Sequence, residues 1–312
     1  MTKLWLAAAL ATTALCGAAH AAVTEVTIED TGAVFPESMT STKGGDLIIG
    51  SSGKGAVYRA KAGAAKATVW LDPAKTGIKS ILGVFSDDAS GTLYVCSVSP
   101  QGKPPEPDQS NLHAFNLKTG ALKKTYPMPG GAGAVCNDVD VDKKGNVYIA
   151  ETVGGRVMVL KKGAAAVEEW LKDDRFKGVD GIAFIGGDAK VVINTVTTGR
   201  MFTIVRKADG TPGEVVELTP SVKLAAPDGM RGIGGNKVLQ AESRAARITE
   251  VTINGDKAEV RVVKGEVPSV TSMTLVGKTV WINDSKFNYR QDPTLKDKSP
   301  EPFTTKAVPL GK

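Results

Sequence analysis

Cys136-Asn137-Asp138-Val139-Asp140-Val141-Asp142-Lys143-Lys144-Gly145-Asn146-Val147-Tyr148-Ile149-Ala150-Glu151-Thr152 is a strand, a turn and a second strand in one phrase. Apolar and polar residues alternate through Val141, the Lys-Lys-Gly-Asn segment turns the chain, and Val147 to Ala150 runs back to a polar end at Glu151. The phrase recurs. Val179-Asp180-Gly181-Ile182-Ala183-Phe184 leads to Val191-Val192-Ile193-Asn194-Thr195, and Pro227-Asp228-Gly229-Met230 leads to Val238-Leu239-Gln240-Ala241-Glu242-Ser243. Each copy carries Asn or Asp at the mouth of its first strand. Three oxygen ligands at one register converge if the repeats close into a ring.

Working outward, equivalent second strands fall at 46–51, 92–97, 146–151, 190–194, 237–242 and 279–284. Third strands follow at 56–59, 156–160, 200–204 and 247–251, and fourth strands at positions such as 67–71 and 213–218. From Glu37 to the matching Thr271 the repeat averages about 47 residues, near the length of a four-stranded propeller blade. A β-sandwich has short strands but does not repeat one phrase, and a parallel β-helix has a much shorter repeat. The expected fold is therefore all-β, a six-bladed β-propeller of four-stranded antiparallel blades forming a single domain over 22–312. Residues 23–29 are expected to supply the outer strand that closes the ring with the C-terminal blade, removing exposed sheet edges. Two insertions break the rhythm, at 100–110 and 286–302. Both should emerge on the face where second strands end, as loops bordering a binding site or as plain connectors.

Lys3, the apolar run from Leu4 to Cys16, and Ala19-His20-Ala21 read as a secretory signal cleaved before Ala22. The run is too short to span a bilayer and no later stretch is long enough. An exported, periplasmic product is expected. The formal charge of +6, one less without Lys3, is scattered and accompanied by few aromatics, which argues against a nucleic-acid partner. A monomer is expected.

Losing the leader removes Cys16 and His20, leaving Cys96, Cys136 and His113. A single histidine is poor material for a zinc site. Any Ser-His-Asp triad would have to run through His113, which sits in an alternating strand and reads as a solvent-facing structural residue. Cys96 ends one second strand and Cys136 opens the next first strand. They are either a disulfide between neighbouring repeats or two buried thiols.

First strands of a propeller line the central channel, so Glu37, Asn137, Asp180 and Asp228 should crowd one of its mouths. Carboxylate and amide oxygens suit Ca²⁺ or another hard divalent cation; softer metals call for His or Cys. The plainer alternative is that Asn and Asp cap turns at strand starts. At the second-strand ends, Glu151, Asn194, Glu242 and Asp284 read mainly as turn and supporting groups, with Glu151 or Asp284 as candidates to reach substrate. Phe35, Met39, Val135, Met230, Thr271 and Met273 are expected to line the mouth, favouring a ligand less polar than a free sugar acid.

On the stretch 136–148 and on Pro227-Asp228-Gly229-Met230, most of the mature chain resembles the SMP-30/gluconolactonase/LRE-like superfamily, whose relatives include paraoxonases and strictosidine synthase. The resemblance implies a divalent metal, usually calcium, on Glu37, Asn137, Asp180 and Asp228, with Asp228 as general base and Asn137 positioning a substrate oxygen. Asp180 departs from the usual Asn, and the added charge should tighten Ca²⁺ while making it less Lewis-acidic. Val135 stands where some sugar lactonases have an arginine, and the paraoxonase histidine pair has no counterpart. Two functions stay open: a metal-dependent hydrolase of lactones or related esters, and a non-catalytic propeller that binds a ligand or partner around a structural Ca²⁺. A strictosidine-synthase-like condensation is a weaker third.

Overall fold

The structure is a computed structural model describing residues 23–311 except Pro107, Lys296 and Asp297. The expected signal segment 1–21 lies outside the described residues. Strands dominate and the helices are single turns.

Three sheets have four antiparallel strands in chain order. They run Ile81–Asp87, Thr92–Ser97, Asn111–Asn116, Leu122–Pro127; then Cys136–Val141, Val147–Glu151, Arg156–Leu160, Glu168–Lys172; then Val179–Ile185, Lys190–Thr195, Arg200–Arg206, Pro212–Glu217. A further sheet, Pro227–Gly234, Lys237–Glu242, Arg247–Asn254, Lys257–Lys264, gains a short parallel edge from Thr219–Pro220. The remaining eight-stranded sheet is two such groups joined at their outer edges. Its N-terminal half is Pro36–Ser41, Leu47–Ser51, Val57–Ala60, Lys66–Leu71, and its other half is Met273–Val276, Thr279–Asn283, Thr304–Pro309, Glu25–Ile28. Glu25–Ile28 pairs antiparallel with the last strand (Glu25 opposite Lys306) and parallel with Lys66–Leu71 (Thr27 opposite Lys66). The start of the described chain thus completes the C-terminal group, as expected.

The strands beginning at Pro36, Ile81, Cys136, Val179, Pro227 and Met273 contact one another in that order, and the last returns to the first. This is a β-propeller arrangement. It explains why second strands are apolar at nearly every position. Val147 and Ile149 pack with Leu112 and Met158 on one side, while Tyr148 and Ala150 pack with Phe184, Ile193 and Phe202 on the other. Both faces are buried between neighbouring sheets, so alternation sorts residues between two cores rather than between core and water. Each such side chain contributes roughly 1.5–3 kcal/mol on leaving water.

The turn in the opening phrase shows how the hairpins are set. Gly145 has φ +86 and donates its N–H to Asp142 O at 2.8 Å, a left-handed conformation open to glycine at little cost. The Asp142 carboxylate accepts from Lys144 N (2.9 Å) and Asn146 N (2.8 Å), and pairs with Arg206 of the next sheet at 2.6 Å.

Candidate functional site

The inner strands share an irregularity at the predicted ligand register. Cys136 faces Glu151 but Val139 faces Ile149; Val179 faces Thr195 but Ile182 faces Ile193; Pro227 faces Glu242 but Met230 faces Gln240. The strands at Pro36 and Ile81 shift likewise. Each of these five inner strands therefore holds one extra residue, around positions 37, 82–83, 137–138, 180–181 and 228–229, a β-bulge that re-aims side chains; the strand from Met273 pairs without one. The chain also enters several of these strands through a left-handed residue two positions earlier: Phe35 (φ 43), Gly178 (φ 81), Ala226 (φ 51) and Ser269 (φ 56). For the non-glycine members that conformation costs about 1–2 kcal/mol each, strain of the kind that collects at functional sites.

The result is convergence. Glu37, Asn137, Asp180 and Asp228 line one cavity of about 460 Å³, and each is less than a tenth exposed. Glycines after the bulge let the strands come this close. A Cβ on Gly83 would stand 2.1 Å from Asn137 O, on Gly181 2.5 Å from Asp228 O, and on Gly229 2.8 Å from Thr271 O. Two buried amides fasten the bulges. Asn194 accepts from Gly181 N (2.9 Å) and donates to Asp228 O (2.8 Å); Asn283 accepts from Ser272 N (3.0 Å) and donates to Glu37 O (2.9 Å).

Three carboxylates share this space. Burial, then the Asp180 charge, carries Asp228 well above the ordinary carboxylate range, and burial, then Asp228 and Asp180, does the same to Glu37. Asp180 is pushed up to about 7, first by burial and then by Asp138, while the Asn137 amide donating to its Oδ2 at 2.9 Å acts the other way. Asn137 Nδ2 also donates to Thr152 Oγ1 (3.0 Å), so its Oδ1 is the atom left for a ligand. The lining holds oxygen donors and neither His nor Cys, which fits a hard divalent cation and the relief such a charge gives to crowded carboxylates. Among the described residues no three His, Cys, Asp or Glu side chains yet stand at coordinating distance of one point. Asp180 accepts from Asn137 Nδ2, and its carboxyl also lies within hydrogen-bonding reach of Asp228.

Other expectations shift. Val135 lines the cavity. Met39, Met230 and Met273 do not: they enter three separate inter-sheet cores, Met39 and Met230 just after a bulge in their strands. Thr271 is buried with its hydroxyl donating to Glu37 O, and Phe35 lies behind Phe287, whose ring is 6.3 Å away. Glu151 is spent on Val135 N (3.0 Å) and Arg156 (2.8 Å), and Glu242 on Arg247 (2.8 Å). Asp284 opens onto a different cavity. Asn194 sits one residue before the register of Glu151 and Glu242, which Thr195 occupies. His113 is structural but buried rather than solvent-facing. It lies between Ser97 Oγ (2.9 Å) and Thr125 Oγ1 (3.0 Å), with its pKa lowered to about 4 by burial. Cys96 and Cys136 form a disulfide, Cα–Cα 5.2 Å, beside Asn137.

The sequence reading missed Arg231. Its guanidinium fills the axis below the cavity, with Nη1 on Asp138 (2.9 Å to each oxygen) and Nη2 on Met39 O and Val84 O (3.0 Å each). It also missed Arg290, which lines the cavity.

No family model and no curated protein sequence matches this chain. Solved structures do. A candidate gluconolactonase shares 12% identity over 90% of this chain and 91% of its own, with TM-score 0.65. A luciferin-regenerating enzyme shares 15% over 91% and 94% at TM-score 0.64, and regucalcin, a calcium-binding protein of Agrobacterium tumefaciens, 15% over 91% and 96% at 0.63. The chain thus has the β-propeller fold seen in the SMP-30/gluconolactonase/LRE-like superfamily.

Proposed function

We propose that this protein is an exported, periplasmic hydrolase of lactones or related esters that depends on a divalent cation, most simply Ca²⁺, at the mouth of a six-bladed propeller. The observation that carries the reading is the shared bulge that turns Glu37, Asn137, Asp180 and Asp228 into one cavity. The ring of inner-strand contacts supports the count of six blades, and the disulfide supports an oxidising compartment. The named neighbours include a regucalcin and a candidate gluconolactonase, in keeping with a metal and a lactone.

Glu37, Asp180 and Asp228 with Asn137 Oδ1 would hold the cation. Once bound, its two positive charges would offset two of the three carboxylate charges and polarise an ester carbonyl. Asp228 is the general base: its carboxylate faces the cavity, Gly229 N fixes Oδ1 at 3.0 Å, and it would take the proton of the attacking water. Asn137 holds Asp180 in place through its amide. Leu82, Val98, Val135 and Val153 give the lining an apolar part, suited to excluding bulk water from the reacting ester.

The test is the mature 22–312 protein against a panel of lactones and aryl esters, with Ca²⁺ and with EDTA. Asp228→Asn should cut turnover about a hundredfold or more while Ca²⁺ still binds by calorimetry. Unchanged turnover removes Asp228 as base.

The commitment of Asn137's amide hydrogens to Asp180 and Thr152 leaves no donor there for a substrate oxygen. That favours, as the second reading, a ligand-binding propeller with a structural Ca²⁺. EDTA lowering the melting temperature with no substrate turned over would select it.

A further inference from the structure

The two insertions meet over the cavity. Gln101 and Lys103 of the first, and Phe287 and Arg290 of the second, line it together with Glu37, Asp180 and Asp228. Arg290 is exposed as a residue, but its guanidinium lies 3.8 Å above the Phe35 ring and 5.2 Å from Phe287. Its Nη1 reaches only neutral oxygens at long range, Ser52 Oγ at 3.3 Å and Gln101 Oε1 at 3.5 Å.

Most other arginines among the described residues, though not the exposed Arg244, are closed by carboxylates. Arg156 meets Glu151 and Arg247 meets Glu242, each at 2.8 Å, and Arg231 meets Asp138 at 2.9 Å. Among the described residues Arg290 has no such partner. Burial against the two rings disfavours its charge, and no opposing charge compensates. A guanidinium stacked by its face keeps its edge N–H groups pointing outward, a fork matched to a planar or tetrahedral anion. The cavity lining thus combines the carboxylates of Glu37, Asp180 and Asp228, the cationic Lys103 and Arg290, and apolar side chains such as Val135, with Arg290 held at Phe35, Ser52 and Gln101 rather than paired with a carboxylate.

We propose that Arg290 is the anchor for an anionic group, a carboxylate or phosphate, carried by an apolar-bodied ligand whose ester or lactone end points at Asp228. This rests on the hydrolase reading for the ester end. The opposite orientation would set the anion among Glu37, Asp180 and Asp228. Phe35 and Phe287 hold the guanidinium, and Gln101 supplies the contact that ties the first insertion to it.

The test separates this role from a purely structural cation–π clamp. The Ca²⁺-loaded protein is titrated by calorimetry with 4-phenylbutyrate, with its neutral isostere 4-phenylbutyramide, and with phenyl phosphate. Wild type should bind the anions on the order of tenfold more tightly than the amide. Arg290→Met should abolish that preference while leaving the amide's affinity within about twofold, and Arg290→Lys should keep part of it. Phenyl phosphate against phenylbutyrate tells which anion the fork fits better. Melting curves of both variants check folding, and Arg290→Lys carries the test if Arg290→Met does not fold. Equal binding of acid and amide by wild type overturns the proposal. So does a preference that survives Arg290→Met, which would put the anion on the Ca²⁺ end. No turnover is read, so a protein that prefers anions without hydrolysing any ester keeps the anchor and loses the hydrolase reading, and a hydrolase indifferent to ligand charge does the reverse.

Discussion

Asn137 and Asp138 are adjacent on one inner strand, both under a tenth exposed, and they belong to two different electrostatic solutions. Below, the Asp138 carboxylate has a built-in counter-charge: Arg231 forks onto both of its oxygens at 2.9 Å. Above, Glu37, Asp180 and Asp228 share the cavity with no cationic side chain among the described residues close enough to pair, and the charge of Arg231 reaches Glu37 only as the smallest of several influences. A buried charge persists when it is paired and hydrogen-bonded. The same ring of strands thus answers the problem internally at the axis and leaves it open at the mouth, where the proposed function puts a cation.

Breaking the lower pair should have the largest effect. Arg231→Met strands Asp138 in the axis and removes donors from Met39 O and Val84 O, and should destabilise the fold by roughly 3–5 kcal/mol, read by urea unfolding. Pairing it with Asp138→Leu should recover more than half of the loss. If Arg231→Met alone costs under about 1 kcal/mol, the axis does not need its counter-charge and the contrast fails.

The upper cluster should respond to calcium, and more strongly as pH rises. Without metal, the folded pKa of Asp180 is raised to about 7 and those of Glu37 and Asp228 are also raised, each chiefly by burial. The folded protein then binds more protons than the unfolded chain above the ordinary carboxylate pKa, so metal-free stability falls as pH climbs from about 4 to about 7. Ca²⁺ at a hundredfold excess over its Kd adds about 2.7 kcal/mol, and this gain should grow from pH 5 to pH 8 in paired Ca²⁺ and EDTA melts. A gain independent of pH would place the ion elsewhere.

His113 gives the opposite slope at a smaller scale. Its pKa of about 4 is depressed by burial from 6.5, so the unfolded chain takes the proton first and stability is lost as pH falls below about 6.5. Between pH 7 and pH 5 that amounts to roughly 2 kcal/mol. His113→Gln, still able to meet Ser97 and Thr125, should flatten the acid limb of the melting profile without touching calcium binding.

What could be read in advance follows from local rules. The recurring strand-turn-strand phrase and the Asp-Gly and Asn-Asp mouths rest on residues near in sequence; the closing strand at 23–29, and the Cys96–Cys136 disulfide as one of two readings of that pair, rest on the repeat register. The methionine assignments went astray for a local reason as well. One extra residue at each bulge reverses which side of the strand follows, so Met39 and Met230 entered the cores; Met273, in a strand without a bulge, is in a core as well.

Arg231 and Arg290 were invisible for another reason. Arg231 reads as one more polar residue in an alternating strand; its partner Asp138 is 93 positions away and meets it only because the inner strands converge on one axis. Arg290 sits in an irregular insertion, and it becomes part of a site only when that insertion folds over Phe35 and reaches Gln101, 189 positions earlier in the chain. In the opening phrase, alternation and its glycine turn determined the hairpin, and repetition determined the register of Asn137 with Asp180 and Asp228. Ring closure alone decided which carboxylates crowd together and which receive an arginine, because charges interact through space at distances that chain order does not encode.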